Sequence, residues 1–248
     1  MKKLIVVVAI GIVLTVAGFL YWRNDSPVFL IVSPSIQSTE TPTTLPAKTI
    51  SPPQSTTGLI LHKVPFTVQA PGGIWADPMF ENACEEASIL MAMHWVRGTT
   101  FTNPRQEIYD LSVWEEKTYG DWYDRSAKDT AQMIKDYFDY DNVEYKEDIH
   151  IEDIKEALAA GGVVVVPIDG QKVGNPFYAQ PGPIAHMMIV IGYDSKTKEF
   201  ITNDPGTRRG AGYRYSEQKF IDAVRDYPTG KYQPITEIKR NMIIVFKD

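Results

Sequence analysis

The 248 residues carry 25 lysines and arginines against 31 aspartates and glutamates, a net charge of −6, and contain a single cysteine. No basic stripe runs through the chain, which argues against nucleic acid as a partner. One cysteine rules out an intramolecular disulfide, and no cysteine or histidine spacing suggests zinc.

Length and composition suit one ordinary globular domain with appendages. Lys2 and Lys3 precede an apolar run from Leu4 to Trp22 that only Thr15 interrupts. At about 1.5 Å per residue such a helix matches the ~30 Å hydrocarbon core of a bilayer. The lysines hold the N-terminus inside, and Tyr21 and Trp22 suit the outer interface. Residues 1–23 therefore read as a single-pass transmembrane anchor in the cell membrane. The rival reading is a cleaved signal peptide, with Thr15-Val16-Ala17 as cleavage site, which would make the protein secreted. Phe19 and Leu20 continue the run past that site and favour the anchor. Either reading puts the rest of the chain on the extracytoplasmic side.

Residues 24–58 are mainly Ser, Thr and Pro, as in Thr39-Glu40-Thr41-Pro42-Thr43-Thr44. Such a segment buries too little apolar surface to offset its ordering entropy and reads as an extended linker. Residues 59–248 form the domain proper. Setting aside Lys2, Lys3, Arg23 and Lys48 leaves 21 basic residues of the 25. Setting aside Asp25 and Glu40 leaves 29 acidic ones of the 31, a net charge of −8.

Within the domain, Ile60 to Gln69 reads as a strand leading into the Ala70-Pro71-Gly72-Gly73 turn. Trp75 follows, as core or as the wall of a cleft. Ala87 to Val96 is rich in helix formers that suit burial on most faces. Asn82 is the expected N-cap, with Glu85 and Glu86 at the positive end of the macrodipole. Asn103 to Thr118 and Ser126 to Tyr140 read as amphipathic helices, the second with a loose capping box of Ser126 and Asp129. Ile151 to Ala160 is a short helix ended by Gly161 and Gly162. Val163 to Ile168, β-branched apart from Pro167, is a buried strand. Gly170 to Pro183 is a Gly- and Pro-punctuated loop placed to wall a substrate site. Ala185 to Asp194 and Glu199 to Asp204 pair as antiparallel strands across the turn at Asp194–Lys198. Ser216 to Tyr227 reads as a surface helix and Met242 to Phe246 as a closing strand. Helices first and strands later make an α+β fold.

Cys84 sits where a loop gives way to the buried helix. Facing the unpaired N–H groups of a first turn favours a thiolate, although the adjacent glutamates oppose it. In the expected strand pair, His186 opens one strand beside Asp204 at the end of the next. A cysteine, a histidine and an aspartate so arranged are a nucleophile, its base and the group that orients the base. The other histidines carry less: His94 reads as a satisfied core residue, and His62 and His150 as surface residues. Asp139-Tyr140-Asp141-Asn142 lacks the pattern of a calcium loop, and Asp121, Asp124 and Asp129 read as a solvated face. No cofactor is expected.

Four elements resemble the papain-like bacteriocin-processing (double-glycine leader) cysteine peptidases, and more closely their stand-alone bacterial relatives. They are Val64-Pro65-Phe66-Thr67-Val68-Gln69, the helix opened by Cys84, His186 before a strand ending Gly192-Tyr193-Asp194, and Asn203-Asp204-Pro205. The resemblance covers residues 59–248 and implies a papain-like fold, a helical half and an antiparallel β half with the active site between them. It also implies an oxyanion role for Gln69. Two departures stand out: the gap from Gln69 to Cys84 is longer than in papain-like enzymes generally, and Glu85 stands where many relatives have glycine.

The expected function is a membrane-anchored cysteine peptidase acting on peptides or proteins, as a monomer, through Cys84, His186 and Asp204. Two other readings are a papain-like surface module that binds without turnover, and a cysteine amidase acting on cell-wall peptide.

Overall fold

The computed structural model describes residues 58–248. Among these, no helix is long and apolar enough to cross a membrane. The span expected at residues 4–22 and the linker lie outside the described residues.

The framework is a seven-stranded sheet in which every pairing is antiparallel. Its central strand, β4 (His186–Asp194), is paired with β3 (Val163–Ile168) along its first half and with β1 (Leu59–Leu61) along its second. On the other edge it pairs with β5 (Glu199–Asn203), which in turn pairs with β6 (Tyr213–Ser216). Beyond β3 lie β7 (Met242–Val245) and β2 (Val143–Lys146).

Both faces of this sheet are covered, which is why β3 and most of β4 read as unbroken apolar runs. Because side chains alternate along a strand, Val163, Val165, Met187 and Ile189 enter one core. Val164, Val166, Ile168, Met188 and Val190 enter the other. The first core is closed by α2 (Cys84–Arg97), α3 (Pro104–Tyr119) and α4 (Ala127–Phe138). The second is closed by α5 (Ile151–Ala159) and α7 (Glu217–Ala223).

Several expectations need correction. The strand read over Ile60–Gln69 ends at Leu61, apart from one further bond from His62 N–H to the Ile191 carbonyl at 2.8 Å. Pro65 has no N–H to give a ladder, and the chain crosses to the Asp204 loop, where Gln69 N–H donates to the Pro205 carbonyl at 3.0 Å. Asn82 does not cap α2. A short helix, α1 (Pro78–Glu81), precedes it, and Asn82 is the C-terminal cap of α1, its side-chain amide donating to the Pro78 carbonyl at 2.7 Å. The loop expected after Ile168 contains one helical turn, α6 (Gly170–Val173). The helix near the C-terminus is shorter than expected and buries Phe220, Ile221 and Ala223. α3 and α4 start where their caps predict, with Asn103 accepting from Gln106 N–H and Ser126 from Asp129 N–H.

Candidate active site

Cys84 is the first residue of α2 and His186 the first of β4. The two elements are packed together there: the Ser88 hydroxyl, one turn into α2, donates to the Met187 carbonyl at 3.2 Å. The N-terminus of the buried helix thus meets the end of the central strand. Cys84, His186 and Gln69 all line one cleft of about 1130 Å³, whose walls include Trp75, Phe177, Tyr178 and Tyr232. Trp75 is therefore a cleft wall, and the loop before His186 supplies a second one.

His186 is almost fully buried, and its Nε2 meets Oδ1 of Asp204 at 2.8 Å. The antiparallel pairing of β4 and β5 sets up this contact, because Asn203 pairs with Ile189 and Asp204 continues past it toward the start of β4. The neighbouring Asn203 is turned away. Its amide donates to the Val64 carbonyl at 3.1 Å and accepts from Gly212 N–H at 3.0 Å.

Asp204 is wholly buried, and its second oxygen, Oδ2, accepts from Tyr178 hydroxyl at 2.6 Å, Tyr215 hydroxyl at 2.9 Å and Asn175 amide at 3.1 Å. Oδ1 also accepts from Gly206 N–H at 3.0 Å. Burial alone would raise its pKa. The His186 charge and the hydrogen bonds from His186, Tyr178 and Tyr215 outweigh that and hold it below the ordinary carboxylate value. The carboxylate is therefore ionised and fixed. It leaves Nδ1 as the ring nitrogen of His186 not bound to Asp204.

The thiol sits in a different electrostatic setting. Cys84 Sγ donates to Oε2 of Glu85 at 3.0 Å. Burial, then the charge and hydrogen bond of Glu85 and the charge of Asp124, push the thiol pKa well up, against a lowering contribution from Met187 N–H. Glu85 does not face solvent as a helix-dipole partner. It is buried, with Oε1 accepting from Tyr227 hydroxyl at 2.7 Å and Arg125 N–H at 3.0 Å. Glu86 is buried on the next face. Desolvation, then the charges of Glu115 and Glu85, raise its pKa well above the usual range. The Arg125 guanidinium is ion-paired with Glu115. Asp124 is not simply a solvated residue either: burial and the Glu85 charge raise its pKa to about 7.

Gln69 is buried at the cleft edge. Its Nε2 donates to the Glu81 carbonyl at 2.7 Å and, at a longer 3.3 Å, to the Phe80 carbonyl, while its Oε1 has no partner. Ala83, the N-cap of α2, gives its first turn no side-chain cap.

Tyr178, Tyr215, Asn175 and Tyr227 belong to the site and were not singled out from the sequence. Each reaches it over 11 to 142 residues of chain, a separation that no local pattern encodes. Among the described residues no group of histidine, cysteine and carboxylate could hold a metal. His94 is tied to Thr99 at 2.7 Å and Glu107 at 2.5 Å on the far end of α2. His62 is half-buried, bonded to the Leu158 carbonyl and edge-on to Trp95, and His150 is exposed.

Comparison with known proteins agrees with this architecture. A solved structure from Bacillus anthracis, described as a C39-like peptidase, superposes with a TM-score of 0.51 at 16% identity. The match covers 77% of this chain and 98% of that one and shows a shared fold. No curated protein matches the chain. The sequence model of the Peptidase_C39 like family matches residues 61–235, the span that holds Gln69, Cys84, His186 and Asp204. The chain belongs to that family and is a papain-like cysteine peptidase of the C39 type.

Proposed function

We propose that this peptidase cuts peptide bonds with Cys84 as nucleophile, His186 as base and Asp204 as the residue that orients the base. The observation carrying this reading is the 2.8 Å contact of His186 Nε2 with a fully hydrogen-bonded Asp204, at the cleft onto which Cys84 also opens. With Nε2 held by Asp204, Nδ1 takes the Cys84 proton. The thiolate attacks the scissile carbonyl, and the tetrahedral oxyanion is met by the Cys84 backbone N–H and by Gln69. Gln69 Nε2 donates to the Glu81 and Phe80 carbonyls, and giving up the longer contact with Phe80 would turn an N–H to the oxyanion. Collapse returns the proton from His186 to the leaving amine and leaves a thioester, which water hydrolyses by the same base.

The binding-module reading has one observation in its favour: burial, then the charge and hydrogen bond of Glu85, push the thiol pKa well up and disfavour the thiolate at rest. Cleavage of a peptide library by the full chain, lost in Cys84→Ala, supports the peptidase. Products from synthetic cell-wall peptides alone point to the amidase. No cleavage, together with slow Cys84 alkylation that pH does not activate, supports the binding module.

We place the catalytic domain outside the cell membrane, anchored by residues 4–22 with residues 24–58 as tether. Resistance of the full-length protein to alkaline carbonate extraction supports an uncleaved span. A mature soluble chain beginning near Gly18 establishes the signal peptide instead.

A further inference from the structure

The loop that follows Asp204 runs Pro205-Gly206-Thr207-Arg208-Arg209-Gly210, and both arginines are exposed and line the cleft. Gly206 packs on the edge of the His186 ring, where an added Cβ would lie 3.0 Å from Nε2. The two guanidinium groups are thus two and three residues from a backbone that touches the base. Among the described residues neither has an ion pair or a side-chain hydrogen bond. Arg125, Arg214 and Arg225 are paired with carboxylates, Arg97 and Arg240 bond to backbone carbonyls, and Arg105, outside the cleft lining, lies over the Phe80 ring.

What the two arginines do touch sets their direction. The Arg209 guanidinium lies 4.7 Å from the centre of the Phe177 ring, stacked on the wall contributed by the loop before His186. Arg208 Nη2 lies over Gly73, in the turn before the cysteine, so closely that a Cβ there would collide with it. One guanidinium is therefore held against the loop before His186 and the other against the turn before Cys84. The third cation of the lining, Arg225, is neutralised by Asp169 at 3.0 Å.

Residues 59–248 carry a net charge of −8, so their field at a distance repels acidic peptides. The cleft lining sets two unpaired guanidinium groups beside the carboxyl groups of Glu81 and Asp124, and the planar fork of arginine matches a carboxylate. We propose that Arg208 and Arg209 make this cleft a receptor for a carboxylate-bearing segment of the substrate peptide, seated beside the scissile bond. The inference rests on the peptidase reading for the word substrate, and on the arginines alone for the recognition.

The test uses the full chain carrying Cys84→Ala and fluorescent peptide libraries of three kinds. They have amidated neutral sequences, amidated sequences with one Asp or Glu, and neutral sequences with a free C-terminal carboxylate. Binding by anisotropy is expected to be roughly tenfold tighter for at least one carboxylate class, and to weaken with salt. The two carboxylate classes separate an acidic side chain from a chain end as the source. Arg208→Gln with Arg209→Gln should reduce that class to the neutral level. An unchanged thermal melting midpoint shows that the double Gln variant still folds. No carboxylate preference, no binding by any carboxylate peptide, or a preference that survives the double Gln variant overturns the proposal. Acidic binding without turnover by the Cys84 protein would instead sink the peptidase reading and leave the recognition standing.

Discussion

Glu85 accepts a hydrogen bond from its neighbour Cys84 through one carboxylate oxygen and from Tyr227, 142 residues further on, through the other. The thiol that opens α2 is thus held by a buried carboxylate that is itself held in place. A positive helix end draws a cysteine toward thiolate, but here burial and the Glu85 charge push the other way. Cys84 therefore rests as a thiol, and forming its thiolate requires a base.

Replacing that carboxylate by an amide of the same shape therefore makes the thiol more acidic. Glu85→Gln keeps an oxygen for Tyr227 and Arg125 and turns an N–H toward Sγ, removing the negative charge. The pH profile of iodoacetamide alkylation should move to lower pH, and a profile displaced by about one pH unit means roughly tenfold faster labelling at neutral pH. A move to higher pH would mean that the Glu85 carboxylate serves as the thiol's own base.

Asp124 gives a stability prediction with a defined window. Its folded pKa is raised to about 7 by burial and by the Glu85 charge, while the unfolded chain titrates near its ordinary 3.8. Between those values the folded protein holds a proton that the unfolded chain releases, so this residue lowers stability as pH rises from about 4 to about 7. Asp124→Asn should melt with the wild type near pH 4 and above it at pH 8. Each 1 kcal/mol relieved is worth about 2–4 °C in a protein of this size. Equal melting temperatures at both pH values would show that the carboxyl is not strained by its surroundings.

The buried cage around Asp204 can be tested by removing one donor at a time. Tyr178→Phe and Tyr215→Phe each delete a hydroxyl bonded to Oδ2. A hydrogen bond to a charged group is worth about 1.5–3 kcal/mol, and both variants should lose stability in that range. If the cage serves to aim His186, kcat should fall while KM stays near its original value. Stability lost with kcat unchanged would assign the two tyrosines to the fold alone.

The parts of this site that sequence made legible are those with local signatures. The β-branched run Val163–Val166 announced a strand buried on both faces, and the turn at Asp194–Lys198 placed Asp204 beside His186. Asn82 misled because a four-residue helix precedes it, too short to show a period. The strands Val143–Lys146 and Tyr213–Ser216 passed unnoticed, since their charged residues face outward and leave only a brief alternation. Glu85 read as a helix-end charge because its partner Tyr227 arrives from the far end of the chain. Nothing local distinguishes Tyr178 or Tyr215 from any other loop or strand tyrosine. They matter because the fold closes them over one carboxylate.

The roles assigned to Cys84, Asp204 and Gln69 separate in a paired assay of peptide cleavage and thiol labelling. Cys84→Ala deletes the covalent route and should abolish both. Asp204→Asn keeps the shape and removes the charge that stabilises the imidazolium; turnover should fall by up to about 10⁴-fold, the loss seen when a serine-protease triad aspartate is so replaced. A cysteine enzyme accepts a neutral third member more readily, so the loss should lie below that bound. Gln69→Ala removes an oxyanion donor, worth about 10²–10³ in kcat, and frees the Phe80 and Glu81 carbonyls that its amide now holds. Alkylation develops no tetrahedral oxyanion, so Cys84 in this variant should label at the wild-type rate. Labelling lost together with turnover would mean that Gln69 holds α1 in place and acts on the site through that helix. Turnover left intact would remove it from the oxyanion hole altogether.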